Sequence, residues 1–173
     1  MRLPRLNSAI SQPIPHDFRG IEVEIDQMIL YVKEFSADPS VIQTARDVVM
    51  GVEPHDITGE VIAIYDWVKE HVRYVEDPAQ DEALTTPKKM VEDIRAHGRI
   101  SEDCDSMSTF LATLLASIGR NVRFRLGGDH SYALSHVWTQ VELFGRWYDL
   151  DATGYLEPGQ YYEYPHTETR SIF

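Results

Sequence analysis

"EDCDSMSTFLATLLASIGRNVRF", residues 102–124, contains the single cysteine of the chain and the point where one periodicity gives way to another. Met107, Leu111, Leu114 and Ile118 recur at helical spacing, with Phe110 and Leu115 beside them, and Gly119 closes the run. Val122, Phe124 and Leu126 then alternate with Arg123 and Arg125, the period of a half-buried strand. Cys104 stands between Asp103 and Asp105 where the helix begins. A structural cysteine is a small hydrophobe that packs among apolar neighbours. One set among carboxylates at a helix N-terminus, with Asp103 or Ser101 as the cap, is better placed for chemistry, because the helix end favours the thiolate.

Upstream of this stretch the chain reads as helical. Ile25, Met28, Ile29 and Val32 predict a helix over about 21–35. Asp38-Pro39 is a cap followed by a first-turn proline, and Val41, Ala45, Val48 and Val49 give a second helix stopped by Gly51. Asp56 caps a third, with Ile57, Val61, Ile64 and Val68 on one face. Residues 71–77 leave it as a short extended piece, 77–85 form a polar loop, and Thr86-Pro87 starts a helix ending near Gly98. Downstream the order changes. "GGDHSYALS" is a loop or bent strand, "HVWTQVEL" (136–143) alternates, Phe144-Gly145-Arg146 is a tight turn, and a last strand carries "RWYDLDA". Helices first and an antiparallel sheet after them, with the cysteine helix at the junction, is an α+β layout.

Composition narrows the function. The 173 residues suffice for one domain, and a net charge of −12 disfavours nucleic acid as a partner. A lone cysteine forms no internal disulfide. No apolar run approaches the ~20 residues of a membrane span, and the N-terminus lacks the apolar core of a signal peptide. The expected setting is the cytoplasm of a bacterial cell, with no membrane partner. Residues 1–20 carry Arg2, Arg5 and Arg19 against Asp17, a net of +2 that leaves −14 on the rest. With Pro4, Pro13 and Pro15 they read as an extended basic arm. Residues 21–153 form the domain and 154–173 a Tyr-rich tail. The arm and the tail are the segments through which a homo-oligomer or larger assembly would form.

A thiol nucleophile needs a base, and the base needs an orienting group. His16 and His166 lie in the tails, His55, His71 and His97 at helix ends or on polar faces, and His130 in a glycine loop. His136 opens a strand with Trp138 on its own face. Asp149 and Asp151 share a face of the next strand, and a hairpin turning at Gly145 brings that strand alongside His136. Cys, then His, then Asp is a nucleophile–base–orienter set. A zinc site from Cys104, His130, His136 and Asp151 lacks paired ligand spacing. No metal and no cofactor is expected.

Four segments then resemble the transglutaminase-like superfamily, the papain-like fold that also contains bacterial and phage cysteine peptidases. They are "AIYDWVKEHVRYVEDP" (63–78), "TTPKKMVEDI" (85–94), the nucleophile-helix segment quoted first, and "HVWTQVELFGRWYDLDAT" (136–153). The resemblance runs from about Ile62 to Thr153. It implies a papain-like α+β core with Cys104 as nucleophile, His136 as base and Asp151 as orienting acid. Asp149, which matches a variable position, is the second choice, and Asp103, Trp138 and Trp147 support the cleft. The usual glycine two residues before the nucleophile is Glu102, and the often acidic position two after it is Ser106.

The function expected is a cysteine hydrolase that opens an amide or isopeptide bond of a protein or peptide through a thioester. A protein-glutamine acyltransferase with the same triad is the first alternative. A non-enzymatic virion or assembly protein that keeps the fold is the second. Pairing with His136 is expected to outweigh Asp103 and Asp105 and to hold the thiol below its free value.

Overall fold

The computed structural model describes residues 18–76 and 84–173, so residues 1–17 of the basic arm and most of the 77–85 loop lie outside the described residues. The helices are α1 (Phe18–Phe35), α2 (Pro39–Val49), α3 (Ile57–His71), α4 (Pro87–His97) and α5 (Cys104–Ser117). The strands are β1 (Val72–Tyr74), β2 (Ile100–Glu102), β3 (Val122–His130), β4 (Ala133–Leu143), β5 (Arg146–Leu150) and β6 (His166–Ser171). Four helix starts are fixed by side chains that accept a backbone N–H. Asp38 accepts from Ser40, Asp56 from Gly59, Thr86 from Lys89 and Asp103 from Ser106.

α5 is the centre of the molecule. It packs against α1, α2, α3 and α4 and, on the remaining side, against β3 and β4. The sequence predicts one apolar stripe, but every residue from Ser106 to Leu115 is buried. The helix is enclosed all round, which a stripe cannot describe. Phe110, Leu111, Leu114 and Leu115 are fully buried, each contributing about 1.5–3 kcal/mol relative to exposure. The buried hydroxyls of Thr113 and Ser108 bond locally and to the sheet, while Thr109 Oγ1 is buried without a hydrogen-bond partner among the described residues. Thr113 Oγ1 donates to the carbonyl of Thr109 at 2.6 Å, and Ser108 Oγ to that of Val137 at 2.9 Å. Thr139 Oγ1 returns a bond to the carbonyl of Ser108 at 2.9 Å. The last two fix α5 to β4.

The main sheet is antiparallel with order β5-β4-β3-β6. β4 and β5 join through Phe144 and Gly145, both at positive φ (52° and 76°), the two-residue turn whose twist suits a hairpin. This sets Gln140 opposite Asp149 and Thr139 opposite Leu150. The 154–173 segment divides. Its last part is β6, an outer strand of this sheet that pairs with β3 and buries Ile172. Arg170 ties it to Glu22 of α1 at 2.7 Å. β1 and β2 form a separate parallel pair with Tyr74 opposite Glu102. β2 is absent from the sequence reading because three residues are too few for a period.

Candidate active site

Cys104 is the first residue of α5. Asp103, its cap, accepts the Ser106 N–H at 2.9 Å. The N–H groups of the first turn have no intrahelical acceptor and face forward from the helix end. His136 lies on β4, beside the ties from Ser108 and Thr139 to that strand. The strand therefore cannot slide relative to the cysteine helix without breaking buried hydrogen bonds. The backbone N–H of Val137, the residue after His136, donates to the Cys104 sulfur. Cys104, His136, Asp103, Asp105 and Tyr74 line one cleft of about 380 Å³. Glu24 and Glu76 add further carboxylates, and no lysine or arginine lines it among the described residues.

Asp151 follows the end of β5 and is fully buried. Its Oδ2 lies 2.8 Å from His136 Nε2. An ionised carboxylate only accepts, so Nε2 carries the proton and Nδ1 of the neutral ring is left with a lone pair. Burial raises the Asp151 carboxyl, but the hydrogen bond and charge of His136 and two bonds from Thr153 hold it below the usual carboxylate range. The Thr153 N–H and Oγ1 donate to Oδ1 at 3.1 and 2.7 Å. The carbonyl of Asp151 accepts from Tyr65 Oη at 2.9 Å, so a tyrosine of α3 anchors the acid from behind.

Asp149 has different partners. Its carboxylate accepts from Trp138 Nε1 and Gln140 Nε2, each at 2.7 Å, and from Arg125 at 3.2 Å. It is therefore not the orienter of His136 but the polar anchor of Trp138. The antiparallel register decides this, since Asp149 faces Gln140 while Asp151 lies beyond the strand end, nearer His136. Trp138 is fully buried and stacks on the imidazole at 5.6 Å and 25°. Trp147 is a correction. It pairs with Glu142 near the hairpin turn, its ring lies under the Arg123 guanidinium at 4.1 Å, and it does not line the cleft.

Tyr161 and Tyr164 both stack on Trp138, at 5.8 and 5.9 Å, and Tyr164 also sits 6.0 Å from His136. A Cβ on Gly127 would strike the Tyr164 ring, so the glycine admits that ring against the strand. Tyr65, Tyr74, Tyr161 and Tyr164 were not legible as site residues. The only sequence signal was tyrosine density after Gly154, which gives no direction.

The thiol departs from expectation. Burial first, then the charges of Asp105 and Asp103, push Cys104 well above its ordinary value, and Val137 N–H opposes them only in part. The Cys104 S–H donates to Asp105 Oδ1 at 3.3 Å. Asp105 touches the sulfur directly and Asp103 acts through its charge, in a partly dry cleft where charge is weakly screened. At rest the thiol is therefore held protonated. Burial, then Cys104 and nearby acids, also push Tyr74 up to about 12, so its hydroxyl stays protonated at the cleft wall. Among the described residues no group of three or more His, Cys, Asp or Glu is placed to hold a metal ion.

The sequence profile of the transglutaminase-like superfamily matches residues 42–152. The chain belongs to the transglutaminase-like superfamily. The match begins in α2 and ends just past Asp151, so it takes in the cysteine helix and the hairpin. Among solved structures, the fold is similar to that of a candidate cysteine protease from Cytophaga hutchinsonii. That likeness has a TM-score of 0.52 and 17% identity, over 73% of this chain and 42% of that one. A structure described as a TGase has a TM-score of 0.42 and 12% identity, over 92% of this chain and 36% of that one. The chain thus spans less than half the length of either. No curated protein matches it. The α+β fold is that of the papain-like, transglutaminase-like core. No described helix is long and apolar enough to cross a membrane.

Proposed function

We propose that the protein is a cysteine-dependent hydrolase of an amide or isopeptide bond in a protein or peptide. The observation that supports this most is the 2.8 Å bond between His136 and a fully buried Asp151, in the cleft that holds the chain's one cysteine. In this reading His136 Nδ1 accepts the thiol proton as Sγ attacks the carbonyl carbon. A C–S bond forms, the C–N bond breaks, and the imidazolium passes the proton to the leaving amine. Water then attacks the thioester, a C–O bond forms and the C–S bond breaks, while His136 takes the water proton and returns it to Sγ. In this reading the first-turn N–H groups of α5, other than that of Ser106 which Asp103 accepts, receive the developing oxyanion. Asp151 fixes the tautomer and stabilises the imidazolium. Because the thiol is held protonated at rest, proton removal by His136 belongs to the attack step.

The test is a panel of quenched fluorescent peptides, run with and without a labelled primary amine. Cleavage that disappears in Cys104→Ala and in Cys104→Ser supports the hydrolase. Amine incorporation into a glutamine peptide would transfer the chemistry to acyl exchange. Neither reaction, together with full biological activity of folded Cys104→Ala, would leave the architectural role.

A further inference from the structure

On the outward side of the β1–β2 pair lies a second groove of about 830 Å³ that shares only Tyr74 with the Cys104 cleft. Its charge is the reverse of the cleft's. Lys69, Arg73 and Arg99 line it against one carboxylate, Glu70. The register explains the clustering. Val72 and Ile100 are partners turned toward the core, so strand alternation turns Arg73, its partner Ser101 and the preceding Arg99 to the other face. The Lys69 ammonium already donates to the Leu156 carbonyl at 2.8 Å. Arg73 and Arg99 are exposed, and neither has a hydrogen-bond or ion-pair partner among the described residues. The opposite wall is residues 152–155, ending in a fully exposed Tyr155.

Two unpaired guanidinium groups thus face one groove in a chain with 28 acidic and 16 basic residues. We propose that this groove docks an acidic peptide segment of a protein partner, with Arg73 and Arg99 taking its Asp or Glu carboxylates and Tyr155 covering the backbone between them. Guanidinium forks match carboxylates in geometry as well as charge. With a screening length of about 8 Å at physiological salt, the local positive groove is felt by a seated ligand despite the acidic surface beyond it. That same acidic surface disfavours a nucleic acid strand, which would run from the groove onto the side of Tyr74 where Glu76, Asp103 and Asp105 lie. It also disfavours the Cys104 cleft as the place where an acidic peptide binds. The proposal stands apart from the chemistry of Cys104 and is tested without it.

The experiment is fluorescence anisotropy on the full chain carrying Cys104→Ala. The probes are a short fluorescein-labelled Glu/Gly peptide, its Lys/Gly counterpart and a single-stranded oligonucleotide. The Glu peptide should bind and the Lys peptide should not, with affinity falling as salt rises to about 0.15 M. Arg73→Gln with Arg99→Gln should weaken binding at least about 10-fold, and the double change to Glu should abolish it. Circular dichroism should be unchanged, since both side chains are exposed. Absence of Glu-peptide binding, or binding indifferent to the double variants, overturns the proposal. Tighter binding of the oligonucleotide through the same two arginines would overturn it in favour of nucleic acid.

Discussion

Tyr65 Oη lies 2.9 Å from the carbonyl oxygen of Asp151 and 2.8 Å from that of Leu156, joining α3 to the acid of the site and to the loop after it. Burial first, then the charge of Asp151, pushes the Tyr65 hydroxyl up, so it stays a donor. Tyr65→Phe takes this donor from the buried Asp151 carbonyl, while the Leu156 carbonyl keeps the Lys69 ammonium, and should cost about 1–2 kcal/mol. Urea unfolding measures the cost. The same variant should slow reaction at Cys104 more than its stability loss explains, because it frees the backbone that carries Asp151.

Asp151 gives a pH signature. Its carboxyl is held below the unfolded value of about 3.9. The stability it contributes is therefore complete above that value and is lost as pH falls through the lower, folded value. The stability gap between wild type and Asp151→Asn should be widest near neutral pH and shrink below about pH 4. Urea midpoints across that range check it, and a constant gap would mean the carboxylate is not held as described.

Burial, then Asp105, sets the thiol. Iodoacetamide should modify Cys104 at neutral pH more slowly than an exposed peptide thiol, and the rate should keep rising beyond about pH 8.5. Asp105→Asn removes a charge and a hydrogen-bond acceptor and should speed the reaction several-fold at pH 7, read by intact mass. As the chain has one cysteine, the signal has one source.

Gly128 controls the strand end that carries His136. A Cβ there would fall on the carbonyl oxygen of Ala133 and lie 2.7 Å from Leu134 Cα, and backbone cannot yield as a side chain can. Gly128→Ala should cost about 1–3 kcal/mol and displace His136. Gly127→Ala meets only the Tyr164 ring and should cost less. Thermal melts of the two variants give the order, and the reverse order would contradict the close approach in the β3–β4 hairpin.

Much of the fold can be read from residues 102–153 because periodicity there is strong. The helix of Met107, Leu111 and Leu114 and the alternation around Val137 and Val141 need no tertiary information. The proline-led helix starts at Pro39 and Pro87 are equally local. β6 is not legible, since "TETRS" presents charge on one face and threonine on the other, and only pairing with β3 makes it a strand. The choice between Asp149 and Asp151 is one of register, which a two-residue turn fixes and composition does not. The direction of the thiol shift is also hidden. It depends on how much water the cleft excludes and on which acid touches the sulfur, and neither is a property of the string "DCD".

Acylation by p-nitrophenyl acetate reports whether Cys104, His136 and Asp151 act as one unit. Release of nitrophenol is followed with intact mass and peptide mapping in wild type, His136→Gln and Asp151→Asn. The ester develops an oxyanion that the helix end stabilises, whereas alkylation by iodoacetamide develops none. Wild type should therefore carry a single acetyl group on Cys104, formed faster than on a free peptide thiol at the same pH. Loss of the base should slow it about 100-fold or more, with Asp151→Asn in between. Wild-type acylation no faster than a free thiol, or a rate unchanged in folded His136→Gln, would show that the three residues do not act together.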